Sequence, residues 1–310
     1  MKLTFCTLTL RSYLSPASLE RGYPSSDERR RLWEWLVKHD FDGIDLGETW
    51  YNFYDAPDEE LEALGKEVRS FGLEIGGLTV LRKIITPPAS ESVQLANRHK
   101  LRRAVHAAAL TGAPLVNMSI SPQPWEVGVR EQDLRGQADP VACSKRAEDA
   151  DYAHAAEFLE GLSLEAERLQ VGLTLELHQN SVVDTADSLL LLLSRINRPN
   201  VKANPDLGNY YFAYAVPDGS WEDVVRKLAP HTDFWHVKNI QRVHVESEQR
   251  AYLSNAPLRD GMIDYRRAMQ IMKEGGFDGC ISIEMASGGD PFACILAGKK
   301  YLDELIEEMS

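Results

Sequence analysis

Gly172-Leu173-Thr174-Leu175-Glu176-Leu177-His178 reads as a buried strand that ends in an acid and an imidazole. It lies between two helical patterns, 149–169 and 185–196, and the same strand-then-helix unit repeats in both directions. Downstream, strands at 201–205, 233–237 and 279–284 are followed by helices at 221–228, 264–274 and 291–308. Upstream, strands at 3–10, 43–46, 73–80 and 114–120 are followed by helices at 26–39, 58–71, 91–111 and 149–169. Ser26 or Asp27 suits the N-cap of the first helix, and Gly112 ends the third. Strands alternating with helices imply a parallel sheet. Eight units favour an α/β fold closed as a (β/α)8 TIM barrel over an open doubly wound sheet. No Gly-x-Gly-x-x-Gly follows the first strand, which counts against the open sheet. No Gly/Ser/Pro-rich linker interrupts the pattern, so residues 1–310 are expected to form a single domain. The connections 11–26, 121–148 and 241–260 are long, and each follows a strand, on the face where barrels build their sites.

Composition narrows the partners. The 310 residues are 44% hydrophobic and 26% charged, with a formal net charge of −13. That balance argues against a protein that coats nucleic acid or an anionic membrane. The short basic run Arg29–Arg31 reads as a solvated helix face. The four cysteines, Cys6, Cys143, Cys280 and Cys294, are far apart and form no Cys-x-x-Cys pair. Cys6 and Cys280 read as small core residues, which suits a reducing compartment. No run approaches the ~18 apolar residues of a membrane span. The N-terminus reads as a strand rather than a signal peptide, so the cytoplasm is the default location. A homo-oligomer is compatible with the sequence, which does not set the state of association.

Barrel strands are covered on both faces and should be apolar throughout. Here four successive strands end in an acid or a histidine. They are Glu176 with His178, Asp206 in Val201-Lys-Ala-Asn-Pro-Asp206-Leu-Gly-Asn209, His236 in Asp233-Phe-Trp-His236-Val-Lys238, and Glu284 in Cys280-Ile-Ser-Ile-Glu284. Burying such groups unpaired costs several kcal/mol. A single one reads most simply as a salt-bridge partner or loop cap. Four together point to convergence on one divalent cation. Three carboxylates and one imidazole favour Mn²⁺ or Mg²⁺, with Co²⁺ and Zn²⁺ as alternatives. The other histidines have plainer readings. His39, His99, His106 and His154 fall on helices, and His231 falls at the N-terminal, structural end of its strand.

The same residues carry a resemblance. Phe41-Asp-Gly-Ile-Asp-Leu46, Phe71-Gly-Leu-Glu-Ile75, Val171–His178, Pro205-Asp206-Leu-Gly-Asn209, His236-Val-Lys238-Asn239, Asp260-Gly-Met-Ile-Asp264-Tyr265 and Gly276–Glu284 follow one another in order. In that order and spacing the chain resembles the xylose-isomerase-like superfamily of sugar and sugar-phosphate isomerases and epimerases, over roughly residues 3–308. The resemblance implies that Glu176, Asp206, His236 and Glu284 bind one catalytic metal. It also implies that Glu176 and Glu284 flank the substrate and exchange its protons. His178, Asn209, Lys238 and Arg242 fall where members hold substrate oxygens. Arg242 lies six residues after the metal histidine, as the substrate arginine does in ketose 3-epimerases. Two departures matter. Asn209 stands where many members carry a histidine. The extra histidines of the DNA-repair endonucleases of this fold are missing, which argues against DNA cleavage.

Strand alternation would put His178 and Lys238 on the same side as Glu176 and His236, one layer higher. A metal-chelated keto-sugar would lose the proton alpha to its carbonyl to one glutamate, giving an enediolate. Return of the proton to the other face or to the adjacent carbon gives an epimerase or an isomerase. A lyase acting by decarboxylation, dehydration or C-glycoside cleavage on a keto-sugar or sugar acid would use the same site, and a non-catalytic sugar-binding barrel is a third reading. Aromatics cluster near these loops at Trp50, Tyr51, Phe53, Tyr54, Trp125, Tyr210, Tyr211, Phe212 and Tyr214. They read either as core or as a wall that stacks on a sugar ring. The substrate expected is a small sugar or sugar acid.

Overall fold

Short apolar runs between helices become the staves of a barrel. The structure, a computed structural model, describes residues 1–86, 89–121, 135–138, 143–215, 219–284 and 289–309. The strands are β1 (Lys2–Cys6), β2 (Gly43–Gly47), β3 (Glu74–Ile84), β4 (Leu115–Ser121), β5 (Gly172–Glu176), β6 (Val201–Asn204), β7 (Phe234–Val237), β8 (Asn239–Val245), β9 (Arg250–Ala256) and β10 (Cys280–Ile283). All but β8 and β9 pair in parallel in the order β6-β5-β4-β3-β2-β1-β10-β7. The two ends of that order face each other. Ala203 bridges to Thr232, Asn204 Oδ1 accepts from the His236 backbone N–H at 2.9 Å, and Trp235 Nε1 donates to the Pro205 carbonyl at 3.0 Å. The fold is therefore a nearly closed (β/α)8 TIM barrel, as the alternation predicts.

The helices are α1 (Pro16–Arg21), α2 (Ser26–Lys38), α3 (Asp58–Ser70), α4 (Glu91–Thr111), α5 (Asp149–Arg168), α6 (Ala186–Ile196), α7 (Leu207–Tyr210), α8 (Trp221–Leu228), α9 (Tyr265–Glu274) and α10 (Pro291–Met309). Their apolar stripes are buried, with Trp33, Leu36, Leu61, Leu64, Leu159, Leu192, Met272 and Leu302 shut off from solvent. Local chemistry sets their ends. Ser25 and Glu28 form a capping box at α2, and α4 stops at Gly112, whose φ of 80° is left-handed.

Several stretches differ from the sequence reading. Past Cys6 the chain turns into a 3-10 helix over Thr7–Tyr13, because Thr7 Oγ1 takes the Gly47 backbone N–H at 2.9 Å instead of continuing the ladder. Strand β3 runs to Ile84 rather than residue 80, with a register shift between Val80 and Lys83. The 241–260 connection is largely the antiparallel β8–β9 hairpin. Arg29 is not on a solvated face. It is buried and bonded to Glu67 at 2.7 Å and Glu60 at 2.7 Å, tying α2 to α3. Trp125 and much of 121–148 lie outside the described residues. Trp50, Tyr51, Phe53 and Tyr210 are buried core, which favours the plainer reading of those four, whereas Phe212 is buried against the Arg135 and Lys238 cations. Among the described residues no helix is long and apolar enough to cross a membrane.

Helices α3 and α4 pack through Gly65. A Cβ there would lie 2.1 Å from the Thr111 carbonyl oxygen, which also accepts from Arg69. Gly65→Ala is therefore expected to destabilise the fold by about 1–3 kcal/mol through overpacking, measured by chemical denaturation.

Candidate metal centre

Four consecutive staves, β5, β6, β7 and β10, carry their polar ends to one point. Ligand atoms of Glu176, Asp206, His236 and Glu284 all lie within 4.8 Å of one another. Glu176 ends β5, Asp206 caps α7 just after β6, His236 sits within β7, and Glu284 follows β10. The parallel strands make this convergence automatic, because their C-terminal ends share one face. His236 and Asp206 are fully buried, and Glu176 nearly so.

The ring is held by donors from inside the barrel. Glu176 Oε2 accepts from Asn117 Nδ2 at 2.9 Å, and Oε1 from Asn209 Nδ2 at 2.7 Å. Asn117 is in turn fixed by Thr174 at 2.9 Å and Asn204 at 3.1 Å. Asp206 Oδ1 accepts from the backbone of Gly208 at 3.0 Å. The Lys238 ammonium lies 2.6 Å from Asp206 Oδ2 and 2.7 Å from Glu284 Oε2.

These contacts set the charges. Burial pushes the Asp206 carboxyl well up, opposed by Lys238 and reinforced by the charges of Glu284 and Glu176. Burial also acts on Glu284, but Lys238 and His236 outweigh it and hold that carboxyl well below the usual range. For Glu176 burial is likewise outweighed, chiefly by His236. Burial works against the Lys238 ammonium, yet Asp206, Glu284 and Glu176 keep it above its ordinary value.

The residues present fit a divalent cation. His236 Nδ1 is buried, makes no hydrogen bond, and lies 3.5 Å from Glu176 Oε2 and 3.4 Å from Glu284 Oε2. An imidazole nitrogen aimed among three carboxylates is an oxygen-rich donor set with one nitrogen, the kind that suits Mn²⁺ or Mg²⁺.

The other expected site residues divide. Asn209 and Lys238 join the ring directly. Lys238 reaches down among the carboxylates rather than standing a layer above them. His178 is buried at the barrel mouth, where the Arg82 guanidinium meets its ring and the Gln179 carbonyl lies 3.0 Å from Nδ1. Arg242 is not brought to the ring. It lies on β8 and donates to the carbonyls of Ala213, at 3.1 Å, and Tyr214.

Sequence reasoning missed Arg82, which meets His178, and the pair Lys83 and Glu48. Lys83 Nζ lies 2.8 Å from Glu48 Oε2, and the Tyr54 hydroxyl donates to the same carboxylate. Their signal was the basic pair Arg82-Lys83, just past the expected end of strand three. Asn117 and Asn204 were also missed, though each is a polar residue inside an apolar strand. A cavity of about 230 Å³ opens beside the loops after β5 and β6, lined by Gln179, Asn180, Phe212 and Tyr214 among others. The Phe212 ring that lines this cavity has its centre 5.6 Å from Lys238 Nζ.

With fold and ring in place, comparison with known proteins is direct. The sequence model of the xylose isomerase-like TIM barrel family matches residues 33–307. The chain belongs to that family. It is 26% identical over 140 residues to an L-ribulose-5-phosphate 3-epimerase, UlaE, of Shigella boydii, a match covering 44% of this chain and 45% of that protein. The match thus spans under half the length of this curated relative. A xylose isomerase-like TIM barrel protein from Mycobacterium smegmatis, solved with magnesium, superposes with a TM-score of 0.76 at 20% identity, covering 98% of this chain and 96% of that one. A probable 3-DHS dehydratase, AsbF, from Bacillus anthracis superposes with a TM-score of 0.68 at 19% identity, covering 98% and 99%.

Lys238 bridges two of the carboxylates, Asp206 and Glu284. Lys238→Met is expected to destabilise the metal-free protein by about 3–5 kcal/mol, since it strips a buried cation from its partners. Thermal scans with and without Mn²⁺ check this. The variant should gain more from the ion than the wild type does.

Proposed function

We propose that this chain is a divalent-metal-dependent sugar epimerase or isomerase acting on a ketose or keto-sugar. The observation that carries this reading is the pair of glutamates at the two ends of one arc. Glu176 on β5 and Glu284 after β10 are separated by Asp206 and His236, and each lies within 3.5 Å of the same imidazole nitrogen. Family membership and the partial match to a 3-epimerase support it.

On this reading Glu176, Asp206, His236 and Glu284 hold one ion, Mn²⁺ by preference, with Mg²⁺, Co²⁺ or Zn²⁺ as alternatives. The bound ion supplies Lewis-acid polarisation of a substrate carbonyl. Asn117 and Asn209 fix both oxygens of Glu176, so its carboxylate meets the substrate in one orientation. One glutamate takes the proton from the carbon alpha to the carbonyl. The other returns a proton to the opposite face, which inverts the centre, or the proton moves to the adjacent carbon, which isomerises the sugar. Lys238, 2.7 Å from Glu284, is placed to donate to a substrate oxygen as charge builds there. His178 and Asn209 offer further polar contacts to the sugar.

A metal-dependent lyase is the second reading, favoured by the same lysine. An ammonium beside the base can protonate a departing hydroxyl, which turns proton abstraction into elimination.

Solvent deuterium exchange on a panel of ketoses and keto-acids separates these readings. Label entering an intact sugar supports epimerase or isomerase chemistry. Loss of water, CO₂ or an aglycone supports the lyase. Chelator-treated protein reloaded with Mn²⁺ should bind about one equivalent per chain, as expected of a single preformed site. Glu176→Gln and Glu284→Gln, with metal occupancy verified, are each expected to lose at least ~10²-fold in kcat, the range for a lost general acid or base. Wild-type turnover in either variant would remove that glutamate from proton transfer.

A further inference from the structure

The sequence motif Phe41-Asp-Gly-Ile-Asp-Leu46 places an acid, Asp45, in the middle of β2, and the function proposed above leaves it unused. Asp45 is fully buried in the barrel interior. Strands β1 and β10 stand between β2 and β7, so contact with His236 is made across the barrel lumen. Three side chains converge on the carboxylate. Thr79 on β3 donates its hydroxyl to Oδ1 at 2.7 Å, Ser282 on β10 donates its hydroxyl to Oδ2 at 2.9 Å, and His236 Nε2 lies 2.9 Å from Oδ2.

A histidine that offers a lone pair to a cation must carry its proton on the other ring nitrogen. His236 Nδ1 is the nitrogen that faces the carboxylate ring and has no hydrogen-bond partner. Nε2 is the one that faces Asp45. A carboxylate accepts and does not donate, so it selects the form with hydrogen on Nε2. We infer that Asp45 is a positioning residue. It holds the His236 proton on Nε2, fixes the tilt of the ring, and leaves Nδ1 bare toward the cation. This rests on the metal reading of the ring. Thr79 and Ser282 hold the Asp45 carboxylate still, so its orientation does not depend on the ring it orients. An amide at this position would remove the preference, because its nitrogen can donate to Nε2 and drive the ring proton to Nδ1.

The test uses the full chain with ¹⁵N-labelled histidine. In the wild type loaded with diamagnetic Zn²⁺, His236 should show a protonated, hydrogen-bonded Nε2 and an Nδ1 without a proton. Asp45→Asn should lose that signature and bind Mn²⁺ about 10–100-fold more weakly, the usual cost of removing the partner of a metal-bound histidine. A change of general stability alone would not move the Nε2 proton. If Asp45→Asn does not fold, the wild-type spectrum decides on its own. A bare Nε2 in the wild type overturns the inference, and so does equal Mn²⁺ affinity in the wild type and a folded Asp45→Asn. A wild type that keeps the Nε2 proton but binds no divalent ion overturns the metal reading instead, and with it the role given to Asp45.

Discussion

Four carboxylates share the barrel interior with two groups able to carry positive charge, and the rest of the structure answers to that imbalance. Asp45, Glu176, Asp206 and Glu284 face Lys238 and His236. Isolated buried charge is costly enough that a fold must neutralise it, pair it or bind a counter-ion. This chain pairs what it can. Asn117 and Asn209 take the oxygens of Glu176, the turn into α7 takes one oxygen of Asp206, and Lys238 bridges Asp206 to Glu284. Negative charge still exceeds positive, and His236 Nδ1 still points into the gap. A divalent cation resolves both at once, which is why charge balance and donor geometry support the same reading.

The barrel makes this arrangement economical. Each stave contributes one or two polar groups to the lumen, and the apolar load stays on the outer faces under the helices. Thr174 on β5, Asn117 on β4, Asn204 on β6 and Ser282 on β10 are buried polar residues within these strands. Together they form a connected hydrogen-bonded lining in place of an oily core. Such a network is favourable only when its members are satisfied. Asn204 meets that condition while also closing the seam, because its amide nitrogen bonds Asn117 and its oxygen takes the backbone N–H of His236. Ring closure and the placing of the imidazole are therefore one interaction.

Much of this was legible in the sequence, for a physical reason. A charged residue at the end of an apolar strand breaks a pattern that burial otherwise enforces, so Glu176, Asp206, His236 and Glu284 stood out. The second layer was harder to read. Asn, Ser and Thr inside a strand are common enough that Asn117, Asn204, Thr79 and Ser282 give no contrast, and Asp45 acquires meaning only from a partner 191 positions away. Strand ends were misjudged where pairing rather than composition decides them. β3 carries Arg82 and Lys83 to the mouth because β4 continues beside it, pairing through Ile84 and Ser121. Arg242 shows the opposite failure. Arg242 is the fourth residue of β8, and extended chain advances about 3.3 Å per residue, so the hairpin carries it some ~13 Å out along the strand. Similar spacing in related sequences says little where the connection folds as an outgoing β-ribbon.

The ring alone does not choose the reaction. Proton abstraction beside a polarised carbonyl is common to epimerisation, isomerisation and elimination, and every residue of the ring serves all three. The choice depends on what the mouth does with the electron pair: whether a second acid waits on the far face, whether a leaving group is protonated, and how the substrate's remote end is held. Arg82 against His178, and Lys83 with Glu48 and Tyr54, are the charged groups the structure sets there. Arg82 and Lys83 lie in the last residues of β3, Glu48 and Tyr54 in the connection after β2, and His178 just after β5. The barrel architecture does not choose the reaction either, since the same fold appears in the probable 3-DHS dehydratase.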